Sequence, residues 1–329
     1  MLHATHSPPA VRLLSALQTS TKNLLSAGRV WPFFLILFWL AAPASAQDST
    51  QTASRITSPE ANKKRLRTLL IGGGSAYAAT LAGLNFLWYA DSPRGPFRFF
   101  NDNAEWKQVD KVGHAYTAYH ISRVGVRAFE WTGMPRRKSI WLGGLAGMAF
   151  QTPVEIMDGF SAAYGASWGD LAANTAGSGL LIGQLLWWDE ERIHPKFSFR
   201  PTALARLRPN MLGANLVQQI IKDYNGQTYW LAFEVKPWLK RESKFPAWLC
   251  VGLGYGAQNM VYANDAQNRL NGFDAYRAYY LSLDVNFAKI PTRRRWLKNL
   301  FFLLNTVRVP APTLEWNRRQ GFRMHALYF

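Results

Sequence analysis

The side chains best suited to chemistry fall in three short stretches: Asp110-Lys111-Val112-Gly113-His114, Gln151 through Glu155 to Asp158, and Ser167 through Asp170 to Asn174. Asp110 and His114 are four residues apart, as are Gln151 and Glu155, and Asp170 and Asn174; Glu155 and Asp158 are three apart. Residues so spaced share one face of a helix. Carboxylates beside an imidazole and an ammonium can close into a hydrogen-bonded ion-pair network. They can also hold a divalent cation or use His114 as an acid/base group, or they can recognise a polar lipid or envelope headgroup. The structural network is preferred over the other two, a divalent metal is not favoured, and no cofactor is assigned. No G-x-S-x-G pattern activates a serine, which leaves Ser161 and Ser167 poor nucleophiles.

Local roles account for part of this polarity. Ser167-x-x-Asp170 before an apolar run reads as a capping box. Thr117, one turn past His114, extends the polar stripe, although its hydroxyl can instead bond a backbone carbonyl of the preceding turn. Glu155 and Asp158 sit at a helix C-terminus, where the dipole disfavours acids. They need a cationic partner, and Lys111 or a protonated His114 would serve.

The elements that must position these groups are four helices, at 62–90, 103–130, 137–158 with a kink at Pro153, and 168–188. Short links make them an antiparallel bundle, and alternation brings the three stretches to one end. After residue 195 the period changes to two, with strands at 195–201, 228–237, 247–257, 277–288, 311–317 and 321–329. The fold class is α+β: a four-helix bundle at 62–190 followed by a curved antiparallel sheet of about six strands within 191–329, the whole membrane-associated.

The 329-residue chain carries a formal charge of +18 and is 48% hydrophobic. Residues 1–46 read as a signal peptide, with basic Arg12, Lys22 and Arg29, an apolar run from Val30 to Ala42, and Ala44-Ser45-Ala46 before Gln47; residues 47–61 form a polar leader. Export disfavours a nucleic-acid partner, so the excess charge suits membrane lipid or an anionic envelope polymer. Cys250 is the one cysteine, which leaves neither an intramolecular disulfide nor a lipid-modified N-terminal cysteine. Helix one is long enough to span a bilayer, whereas helix two carries Lys111, His114, His120, Arg123 and Arg127 and is too costly to insert. Arg293, Arg294, Arg295, Trp296 and Lys298 lead into Phe301 and Phe302, a basic and aromatic segment that could lie at a membrane surface. Its other reading is a buried helix with a solvated basic entry.

The stretches Trp106-Lys107-Gln108-Val109-Asp110-Lys111-Val112-Gly113-His114-Ala115-Tyr116, Glu155-Ile156-Met157-Asp158-Gly159-Phe160 and Ala166 through Asp170 and Asn174 to Gly177 resemble the YfiM-like family of envelope proteins. Val309-Pro310-Ala311-Pro312-Thr313-Leu314-Glu315 and the terminal Tyr328-Phe329 look like its longer members. The order Asp-Lys-x-x-His, Glu, then Asp-x-x-x-Asn-x-x-Gly is similar, more loosely, to VanZ-like membrane proteins, and that likeness implies one shared site. These readings give an exported envelope protein, in the outer membrane or on its periplasmic face, that is non-enzymatic and membrane- or lipid-interacting. The rival is a metal-dependent or acid/base hydrolase acting on an envelope lipid or cell-wall substrate.

Overall fold

The computed structural model describes residues 59–85, 93–162 and 165–329. The expected signal peptide and most of the polar leader lie outside the described residues. The chain is a mixed α+β protein in which helices α1 (Pro59–Leu84), α2 (Val109–Trp131), α3 (Arg136–Gly144), α4 (Ala146–Gly159) and α5 (Trp168–Trp187) precede a six-stranded antiparallel sheet. Helices α2, α3 and α5 share a core of Tyr119, Val126, Ile140, Leu181, Ile182 and Leu185, and α4 packs beside it on α2 and α5. Helix α1 contributes no buried residue and joins them through Arg65 on the Trp131 carbonyl and Tyr77 on the Phe150 carbonyl. No helix among the described residues is long and apolar enough to cross a membrane, which corrects the spanning length expected of helix one.

The expected third helix is two helices, and the break falls at Leu145 rather than Pro153, which lies inside α4. Serines from the neighbouring helices replace the helical ladder there. Ser122 Oγ donates to the Gly144 carbonyl at 2.5 Å, while the amides of Gly147 and Met148 donate to Ser122 Oγ and Ser178 Oγ at 3.0 and 2.9 Å. Side chains inserted into the i→i−4 pattern are a recognised cause of a sharp bend.

Helix α2 starts from a left-handed turn, with Trp106, Lys107 and Gln108 at φ of 45°, 54° and 62°. Such a run is unfavourable for side-chain-bearing residues, and the sheet half holds it in place. The Trp106 amide donates to the Ala263 carbonyl, Tyr255 donates to the Lys107 carbonyl, Lys107 pairs with Asp265, and Arg277 Nη2 donates to Gln108 Oε1.

Strands β1 (Ile193–Phe199), β2 (Gln227–Glu234), β3 (Leu249–Gln258), β4 (Tyr276–Val285), β5 (Ala311–Asn317) and β6 (Gly321–Tyr328) pair in sequence order. The polarity of the two faces is inverted. The buried face carries Lys196 paired with Asp284 at 2.9 Å, His194 with Glu234 at 2.8 Å, Glu315 with His325 at 2.7 Å, and Arg308 bonded to Ser282 and Thr313. Trp230 fills the space left by Gly254 on this face. The opposite face is apolar and its residues stand in register. One row runs Phe197, Tyr229, Tyr255, Tyr279, Trp316 and Phe322, an aromatic from every strand. The next runs Pro195, Leu231, Leu253, Leu281, Leu314 and Met324. Helix α2 covers the start of the aromatic row, with the Tyr116 ring near those of Phe197 and Tyr229. From β4 to β6 the apolar face is open: Leu281 is 47% exposed, Phe322 71% and Met324 81%.

Candidate polar site

The three polar stretches meet. Lys111, on the first turn of α2, places Nζ 2.5 Å from Asp102 Oδ2, 2.7 Å from Asp170 Oδ1 and 3.3 Å from Asp110 Oδ2. One turn on, His114 Nδ1 lies 3.1 Å from Asn174 Oδ1 and 3.9 Å from Glu155 Oε1, and its Nε2 lies 3.7 Å from Asp170 Oδ1. Gln151 Nε2 donates to the His114 carbonyl. Ser167 caps α5 by accepting from the Asp170 amide, the first half of the expected box. The second half is absent, because the Ser167 amide donates instead to Glu155 Oε2 and its hydroxyl to Asp102 Oδ1.

Asp158 is half-buried at the rim, close enough to act on the Glu155 charge. Thr117 makes no hydrogen bond to the cluster among the described residues. Two members were missed in the sequence. Asp102 lies in the loop before α2 with no periodic signal, and Tyr224, whose hydroxyl donates to Asp110 Oδ1 at 2.6 Å, comes from the segment leading into β2. Backbone proximity makes the convergence possible: a Cβ on Gly177 would enter the Ala115 carbonyl of α2, so α2 and α5 touch there main chain to main chain.

Electrostatics follow from burial and crowding. Burial would lower Lys111, but Asp110, Asp102 and Asp170 outweigh it and hold the ammonium charged. Burial likewise opposes the charged form of His114, and Asp110, Asp170 and Glu155 raise it. Burial first, then the Asp170 charge, pushes Glu155 up to about 7 against the opposing pull of His114. Asp170 is raised by burial and Asp110 although His114 and Lys111 pull it down. Asp102 is lowered: burial opposes this, but the bonds from Lys111 and Ser167 prevail.

Asp110, His114 and Asp170 offer ligand atoms within 4.8 Å of one another, the spacing a metal ion needs. Lys111 Nζ already stands among the same carboxylates and supplies the positive charge, so a cation would have to displace it. The Asp170 Oδ1 contact to Lys111 is an ion pair without hydrogen-bond alignment, and Asn174 Nδ2 is buried with no partner among the described residues. Chemically the arrangement is an ion-pair network tying α2, α4 and α5 to the Tyr224 segment.

The basic segment forms α8 (Arg295–Leu304), after the short helices α6 (Leu216–Lys222) and α7 (Asp265–Leu270). Arg293, Arg294, Arg295, Trp296 and Lys298 are exposed. Phe302 is buried, with the Arg123 and Arg127 guanidiniums 4.0 and 3.5 Å from its ring centre, and Phe301 stacks on Phe287. Of the expected aromatic anchors, Trp296 is the one at the surface, because packing against α2 turns Phe302 inward.

Comparison with curated proteins and with solved structures finds no match. Residues 98–185, which hold the whole helical part of the polar site, match the model of a family described as predicted periplasmic lipoprotein (DUF2279). The lipidation in that description needs a cysteine at a signal-peptide junction, and the one cysteine of this sequence, Cys250, is buried in β3. The match supports an uncharacterised, exported bacterial envelope family as the kin of this helical region.

Proposed function

We propose that the chain is a non-enzymatic envelope component that seats the apolar face of its sheet on a lipid membrane, in the outer membrane or at its periplasmic side. One observation carries this reading: the faces are inverted, with ion pairs inside and an in-register aromatic row bordering an in-register aliphatic row outside. Membrane β-proteins place apolar side chains toward lipid and aromatics at the interface. Beyond the aromatic row Arg277 turns polar, bonding Gln108 and Tyr255, so the row lies where the apolar band ends.

A further contact supports a sheet bent around its polar face. Thr228 of β2 and Tyr328 of β6 approach to 3.1 Å across the buried face. In a flat sheet those strands would stand roughly 19 Å apart, at about 4.8 Å per strand. The formal charge of +18 suits anionic headgroups. Within this proposal the polar site is a fastener that fixes the helices, and the YfiM-like resemblance fits an envelope protein of that kind.

Flotation of the purified chain with phospholipid vesicles tests the reading. The wild type is expected to float, and Leu281→Asn with Leu314→Asn, both exposed on the face, is expected to stay in the soluble fraction while keeping its fold by circular dichroism. A wild type that fails to float, or a double variant that floats equally, would overturn it.

A further inference from the structure

Three residues beyond the aromatic row, on the side away from the aliphatic row, the strand ends open into a cavity of about 330 Å³. Arg200 follows Phe197, Gln258 follows Tyr255 and Arg319 follows Trp316 by three positions, and Tyr276 precedes Tyr279 by three. All four line the cavity with Thr202 and Asn225.

Two guanidiniums there, half-buried Arg200 and exposed Arg319, have no acceptor from the described part of the protein. Among the described residues neither Arg200 nor Arg319 makes a side-chain hydrogen bond or ion pair; Arg200 has only the face of Tyr328, 5.3 Å from its Cζ. The nearby carboxylates are engaged. Fully buried Asp223 accepts from Thr202 at 2.5 Å and from Asn225 at 2.8 Å, and Asp274 pairs with Arg318. The Thr202 hydroxyl, the Asn225 amide and the Tyr276 hydroxyl already donate to Asp223, to Asp223 and Met260, and to Gln258, so recognition falls to the two uncommitted guanidiniums, whose planar fork matches the oxygens of a phosphate group.

We propose that this cavity is a binding site for a phosphate-bearing anion. Its position indicates one source: it lies at the strand ends past the interfacial aromatic row, on the headgroup side of that row, with Gln258 and Tyr276 on the opposite, polar face of the sheet because an odd residue offset changes face. That source rests on the membrane reading above, whereas the anion site itself does not. A free phosphate compound offers the same chemistry.

Two measurements on the full chain separate these outcomes: calorimetric titration with inorganic phosphate, and flotation with vesicles of phosphatidylcholine alone or mixed with phosphatidylglycerol. Arg200→Gln with Arg319→Gln is expected to weaken phosphate binding at least tenfold and to lower flotation on the anionic vesicles only, with the melting temperature unchanged. Arg200→Lys with Arg319→Lys is expected to retain part of both, which a merely structural role would not show. Lost phosphate binding with unchanged flotation on anionic vesicles supports the site and overturns the lipid source. A wild type that binds phosphate but floats on neither vesicle rejects the membrane reading and leaves the site standing. Absence of phosphate binding by the wild type, or equal binding by the Gln variant, overturns the site.

Discussion

At the residue scale the polar site is held together by charges that compensate only as a group, and pH is the variable that unbalances them. Glu155, 3% exposed, is raised from an ordinary 4.5 to about 7, so between those values the folded chain binds the proton more tightly than the unfolded one. Its stabilising contribution is therefore complete below about pH 4.5 and is lost as pH rises through 7. His114 acts in the same direction: raised above 6.5, it stabilises while protonated and loses that contribution at higher pH. The Glu155 part is of order 3 kcal/mol at one pKa unit per 1.36 kcal/mol. Melting curves from pH 5 to 8 are expected to show the wild type losing stability as pH rises. Glu155→Gln, which keeps the neutral shape, should flatten that loss and exceed the wild type at pH 8. Wild-type stability that increases over this interval would contradict the assigned shifts.

At the element scale, glycines decide where helices can meet. A Cβ on Gly177 would drive into the Ala115 backbone of α2, while one on Gly179, two residues along on the exposed side, meets nothing within 4 Å. Gly177→Ala is accordingly expected to cost about 1–3 kcal/mol by overpacking, and Gly179→Ala to add about 0.5–1 kcal/mol through helix propensity. Chemical denaturation of the two variants checks the contrast, and equal effects would place the α2–α5 contact elsewhere. The strand segments and the meeting of His114, Glu155, Asp170 and Asn174 were legible in the sequence because period-two alternation and four-residue spacings are local. The break at Leu145 was not, since its cause lies in Ser122 and Ser178 on other helices. Asp102 and Tyr224 escaped for the same reason: each is placed by a loop whose path depends on tertiary contacts. The aromatic row was equally hidden, because alternation along one strand says nothing of the register between strands.

At the scale of the whole molecule, the proposed membrane seating would draw on the apolar face and on the charge distribution in separable ways. Hydrophobic seating through Leu281, Leu314, Trp316 and Phe322 is insensitive to salt, whereas attraction by exposed basic groups is screened beyond a Debye length of about 8 Å at physiological ionic strength. Arg293, Arg294, Arg295 and Lys298 gather around the entry to α8 beside exposed Trp296, and each basic residue near an anionic surface is worth about 1 kcal/mol. Replacing the four by Gln should weaken binding to phosphatidylglycerol-containing vesicles and flatten its dependence on salt, while leaving binding to neutral vesicles as it was. The fold should survive, because these side chains are exposed and α8 is anchored by buried Phe302 and by the Arg123 bond to its carbonyl. Vesicle co-sedimentation across a salt series reads both terms at once. If the variant keeps the wild-type salt slope, the attraction must come from elsewhere on the molecule, and the cavity arginines at the far side of the aromatic row become the groups to exchange next.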